Sequence, residues 1–227
     1  MFFVSLFFFL FICTMDKYFE QLLSRVAAIY KKYGIKSVTM DDIARELGIS
    51  KKTLYQYVAN KKVLVEHAVN YEITYSNCQI EQIVGEGLNA IDELLAMNRH
   101  IIKMLKDHNP ASKYDMRKYY PDLNEKIEKR KRQCMYDAII KNIHKGQREG
   151  IFRQDLNSDI IARMQISRIE NSEDNDLFSL DELVSPDFVV EMFMYHIRGL
   201  ANRNGIDLLE KRLHETSREA LLYGNPE

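Results

Sequence analysis

Within one short stretch the chain sets out Lys51, Lys52, Thr53, Tyr55, Gln56, Tyr57 and Lys61. Ammonium and hydroxyl groups can hold phosphate oxygens, and a small hydroxyl or an amide can meet base edges in a major groove. That is the chemistry of recognition, not of turnover. The six His residues form no His-Glu-x-x-His pattern, and the chain has no Gly-rich phosphate loop and no nucleophile elbow. No nucleophile, base or metal is assembled, so an enzyme is not expected.

Such side chains need a rigid carrier, and residues 38–58 read as a helix-turn-helix. Ile43, Leu47, Ile49, Leu54 and Tyr57 fall at helical spacing, so two short helices share one core. Ala44 lets them approach where they cross. Gly48 follows the first helix, where a left-handed backbone costs Gly least. Thr39 and Ser50 are N-caps for the first and second helices. Lys51, Lys52, Thr53, Tyr55 and Gln56 then lie on or near the outward side of the second. A helix precedes the pair, with Phe19, Leu22, Leu23, Val26, Ala27, Tyr30 and Tyr33 as its apolar stripe and Gly34 as its stop. Asn60 caps a longer helix from Lys61 onwards, with Leu64, Val65, Ala68 and Ile73 facing inward.

The order Tyr33-Gly34, Val38-Thr39-Met40-Asp41-Asp42-Ile43-Ala44, Leu47-Gly48-Ile49-Ser50-Lys51-Lys52-Thr53-Leu54-Tyr55-Gln56-Tyr57-Val58, Lys61 and Leu64 resembles the N-terminal domain of the tetracycline-repressor (TetR) family. The resemblance covers roughly residues 17–75. Val58 departs from it, since the family usually has Phe there; a smaller apolar residue should still plug the core. The resemblance implies a cytoplasmic homodimer that represses transcription and leaves DNA when a small ligand binds its C-terminal domain. It also implies roles. Lys52, Thr53 and Gln56 would meet base edges. Tyr55, Tyr57 and Lys61 would meet phosphates, with Thr39 beside them.

Overall net charge is −1, which alone argues against a nucleic-acid binder. The distribution argues for one. Residues 15–70 hold ten Lys/Arg against six Asp/Glu, a net of +4; residues 1–14 hold none of either, which leaves −5 for residues 71–227. A basic head on an acidic body confines phosphate attraction to one end. Cys13, Cys78 and Cys134 lack metal spacing and read as free thiols in a reducing compartment. Met1 to Ile12 is an apolar block, short of the about 17–25 residues that span a bilayer, and no basic residue precedes it. Our reading is that translation starts at Met15 and that residues 1–14 are a mis-assigned extension, so no stable membrane association is expected.

Gly and Pro are scarce, at 9 and 4, and the pattern stays helical past residue 75. Gly85 and Gly87 break the connector. A long helix ends near Asn109-Pro110, another starts at Pro121 and stops at Gly146 and Gly150, and one runs from Asp159 to about Arg168. Residues 170–186 read as a loop; Asp174 and Asp176 suggest a calcium site but lack its further ligands and turn Gly. Pro186 starts a helix, and Ile206 to Leu222 forms the last. His100, Met104 and His108 share a helix face, and Tyr114, Tyr119 and Tyr120 cluster near a helix break. His100, Met104, Tyr114, Tyr119 and Tyr120 are the candidates for a ligand pocket, with packing as the rival reading. No cofactor or metal is expected. The run Lys126, Lys129, Arg130, Lys131, Arg132 reads as a solvated helix face.

The expected protein is all-α. Residues 15–75 form a three-helix head with the helix-turn-helix, and residues 76–227 a helical ligand-binding and dimerisation domain. Its partners are an operator duplex, a second copy of itself through the last two helices, and a small-molecule effector. The rival is a ligand-binding or membrane-tethered interaction protein with a non-DNA-binding head.

Overall fold

A computed structural model describes residues 17–106, 109–172, 177–183, 185–215 and 220. The apolar block Met1 to Ile12, Cys13, His108, Asp174, Asp176 and the end of the expected last helix lie outside them. The described residues are helical almost throughout. They fall into two compact units, residues 17–76 with 109–127, and residues 77–106 with the described residues from 128 onwards.

The first unit holds α1 (Lys17–Tyr33), α2 (Met40–Leu47), α3 (Lys51–Tyr57) and the start of α4 (Lys61–Gly85). Their apolar stripes meet in one core around Leu23, Val26, Ile43, Leu54, Leu64 and Val65. Val58 is buried in that core and plugs it as expected. The unit also contains α6 (Pro110–Tyr119) and the first turns of α7 (Pro121–Arg148). Met116, Leu123 and Ile127 are part of the same core. Sequence patterning assigns 108–127 to the body and reads Pro110 as a stop. Instead Pro110 opens α6, capped by the Asn109 side chain, which accepts from the Ala111 amide at 2.9 Å. Proline suits a first helical position as well as a stop, because its missing N–H is unused there.

The second unit packs α5 (Ala90–Lys106), most of α7, α8 (Ser158–Ser172), the short α9 (Leu180–Leu183), α10 (Pro186–Leu200) and α11 (Arg203–Glu215). Its core is Ile91, Leu95, Ile143, Phe152, Met194, Ile197, Leu200 and Leu209. Gly146 does not end α7, which runs on to Arg148. A Cβ there would stand 2.1 Å from the Phe152 ring, so Gly146 is where an aromatic side chain lies against helix backbone. Gly205 likewise sits inside α11, where a Cβ would come within 2.2 Å of the Ile151 carbonyl oxygen.

Two carboxylates of this unit, Glu93 and Asp92, are paired with cationic side chains. Glu93, 2% exposed, bonds the Lys145 ammonium and accepts from Asn142 Nδ2 at 2.9 Å. Arg212 donates to both oxygens of Asp92, Nε at 2.9 Å and Nη2 at 2.6 Å. That fork holds the Asp92 carboxyl below its ordinary range.

Candidate nucleic-acid interface

The carrier is built by local rules. Thr39 accepts from the Asp42 amide at 3.2 Å, and the Asp42 carboxylate accepts from the Thr39 amide at 3.0 Å, a reciprocal capping box. The Thr39 hydroxyl, donating to Asp42 Oδ2 at 2.6 Å, and then the Thr39 amide hold the Asp42 carboxyl below its usual range. Gly48 takes φ +72°, and Ile49 N donates to Ala44 O at 3.0 Å, so the chain leaves α2 in a tight left-handed turn. Ser50 Oγ then accepts from the Thr53 amide at 3.0 Å and starts α3.

On α3 the predicted readers divide. Lys52, Tyr55 and Gln56 are exposed. Thr53 is partly exposed, and its hydroxyl lies 2.7 Å from Ser50 Oγ. Lys51 pairs with Asp41 at 2.9 Å, which raises its pKa. Tyr57 is half-buried, with its ring stacked on Phe19 at 4.9 Å. That packing fixes the direction of its hydroxyl.

Lys61, expected at a phosphate, here lies against the turn ahead of α2. Its ammonium donates to Ile35 O at 2.6 Å, to Lys36 O at 3.5 Å and to Val38 O. Burial lowers its pKa. Two of these bonds are short and the one to Lys36 O is long, so the ammonium is held chiefly by Ile35 O and Val38 O. Lys61 therefore binds the turn ahead of α2. Two further residues escape sequence reading. The Arg25 guanidinium donates to Leu47 O at 3.0 Å and Glu46 O at 2.7 Å, satisfying carbonyls at the end of α2. Asp115, 7% exposed, accepts from the Lys36 amide at 2.6 Å. Their partners stand 21, 22 and 79 residues away, so no local signal marks them.

The five ligand candidates fall in different units. Tyr114, Tyr119 and Tyr120 belong with the head. Lys118 Nζ donates to the Tyr114 hydroxyl at 2.8 Å, the Lys36 ammonium lies 4.0 Å from the centre of the Tyr119 ring, and Tyr120 ends α6. His100 and Met104 lie on α5 in the body, where burial lowers the His100 pKa.

A sequence model of bacterial regulatory proteins of the tetR family matches residues 22–68, the segment that carries the capping box, the Gly48 turn and α3. The head belongs to the TetR family. The chain is similar to the transcriptional repressor KstR2 of Mycobacterium tuberculosis, at 23% identity over 151 residues, covering 63% of this chain and 73% of the relative. A transcriptional regulator from Cytophaga hutchinsonii shares the fold with a TM-score of 0.67 at 17% identity, over 82% of this chain and all of that one. AibR, whose structure holds isovaleryl coenzyme A and operator DNA, superposes with a TM-score of 0.50 at 18% identity, over 76% of this chain and 96% of its own. In this TetR-type head the side chains that face outward from α3 are those left after the core and caps take theirs.

Proposed function

We propose that the chain is a ligand-responsive transcriptional repressor that reads an operator with α3. The observation that carries this is the pairing of a family-matched helix-turn-helix with an α3 whose Lys52, Tyr55 and Gln56 stand exposed while Leu54 is fully buried. Lys52, Thr53 and Gln56 meet base edges, and Lys51, Tyr55 and Tyr57 meet phosphates, with Thr39 at the α2 N-terminus beside them. The body takes the effector, and isovaleryl coenzyme A, bound by AibR, is the first compound to try. A cytoplasmic location follows from this role, and no described helix is long and apolar enough to cross a membrane.

One head reads only a few base pairs, so specificity calls for a dimer. Exposed apolar side chains in the body include Ile160, Met164 and Ile169 on α8 and Tyr195, 80% exposed, on α10, besides Val84 on α4, Ile101 and Met104 on α5, and Leu177 and Phe178 ahead of α9. The outer positions of α11 carry Arg203, Asp207, Glu210, Lys211 and Glu215. We therefore assign the dimer face to α10, one of the last two helices, together with α8 in place of α11. Tyr195→Arg should leave a folded monomer in light scattering; an unchanged dimer would move the interface elsewhere.

The reading itself is tested by selecting duplexes from a random pool with wild-type protein. One sequence class should be enriched, and Gln56→Ala should lose preference at one or two of its base pairs by about 1–3 kcal/mol. Enrichment of no sequence would remove the proposed function.

A further inference from the structure

The turn between α1 and α2 is gripped from two sides, and one grip comes from a segment outside the family-matched stretch. Residues 34–38 hand their carbonyls to the Lys61 ammonium and the Lys36 amide to the Asp115 carboxylate. A cation on the carbonyls and an anion on the N–H fix the peptide planes in one sense. Rotating one of those planes would turn a carbonyl dipole away from Lys61 or an N–H away from Asp115. The α6 helix is fastened to the same region by two more contacts. Ser112 Oγ donates to Tyr30 O at 2.8 Å, and Asn109 Nδ2 lies 3.5 Å from Lys32 O. The close approach is marked at Gly34, φ +80°, where a Cβ would stand 3.5 Å from Asp115 Oδ2. Burying a carboxylate is costly unless it is hydrogen-bonded. Asp115 makes no direct salt bridge among the described residues; the nearby Lys61 cation attracts it through space, and its hydrogen bond to the Lys36 amide ties it to the turn. A charge-assisted bond of this kind is about twice as strong as a neutral one.

We infer that Asp115 is a positioning residue for DNA reading: through the Lys36 amide its carboxylate sets the 34–38 turn, and with it the Thr39 cap from which α2 and then α3 are aimed. The inference rests on the proposed reading of the head as an operator binder. Asp115 touches no base or phosphate in this account. It acts by holding the start of the helix-turn-helix in one register, and the family-matched segment is complete as a reader only with α6 in place.

The experiment uses the full chain and a duplex enriched by the wild type. Asp115→Ala should weaken binding to that duplex roughly tenfold to hundredfold, the loss expected for one charge-assisted bond, and speed exchange of the Lys36 amide in NMR. Asp115→Asn keeps an oxygen acceptor and should recover most of both. A purely stabilising role would lower the urea midpoint without this linked change and rescue. Wild-type affinity in Asp115→Ala would overturn the inference while leaving the operator reading intact. So would lost affinity in either variant with Lys36 still protected. If the alanine variant does not fold, the asparagine variant decides by the same pair of measurements. A wild type that enriches no duplex would instead remove the reading on which the inference rests.

Discussion

The head and the body handle buried charge in different ways. In the body, Glu93 meets Lys145 and Asp92 meets Arg212, side chain to side chain. In the head, Lys61 meets backbone carbonyls and Asp115 meets a backbone amide. Paired side chains tie helix to helix and leave the main chain to its own hydrogen bonds. Charges spent on the backbone fix the path of a turn that has no helix to define it. The difference suits a head whose product is geometry, since reading bases requires an aimed helix, and a body whose first need is cohesion.

The comparison can be broken most forcefully at Glu93. Glu93→Ala strips Lys145 of its partner and Asn142 of an acceptor inside the core, and should cost the body about 3 kcal/mol in urea unfolding. A loss within error would mean the pair does not hold α5 to α7. At Lys61 the expected effect is smaller. Lys61→Met keeps most of the apolar stem but leaves the turn carbonyls without a donor, at about 2 kcal/mol of head stability. Salt dependence of DNA binding separates this task from a phosphate contact. If Lys61→Met lowers the salt slope by about one unit at unchanged stability, the ammonium serves DNA and not the turn.

The mildest test concerns pH. Burial, helped by nearby Arg168, pushes the His196 pKa down from its ordinary value of 6.5 to about 4. The unfolded chain therefore takes up the proton first as pH falls. Stability contributed by the neutral imidazole is present above pH 6.5, declines between about 6.5 and about 4, and levels off below. His196→Gln should flatten that part of the urea midpoint against pH, and an equally steep profile in the variant would exclude His196 as its source.

Legibility in the sequence followed the range of the interaction. Thr39, Gly48 and Ser50 obey rules that act over three or four residues, so residue types alone mark both caps and the turn between them. The apolar stripes of α1, α2 and α4 were equally plain, because helical spacing repeats locally. Lys61 could be marked as important but not assigned, since a cation near a recognition helix looks the same whether it holds phosphate or carbonyls. Arg25 and Asp115 carried no signal, because what distinguishes them is a backbone group far along the chain. Pro110 and Gly146 misled for a related reason. Each residue type serves two purposes, stop or start for one and break or close approach for the other, and only the packed neighbour decides which applies.

Where the chain crosses itself in the body, Arg153 N donates to Leu200 O at 2.9 Å and Asn202 N to Ile151 O at 3.1 Å, around the bridge between Phe152 and Ala201. Asn202 Nδ2 also reaches Phe152 O, 50 residues back. Closing so long a loop costs chain entropy before any bond repays it. In the order of folding, then, this crossing should come late: α1 to α3 can gather through near neighbours, whereas the body must first bring α8 and α10 into place before its two extended strands of chain can meet.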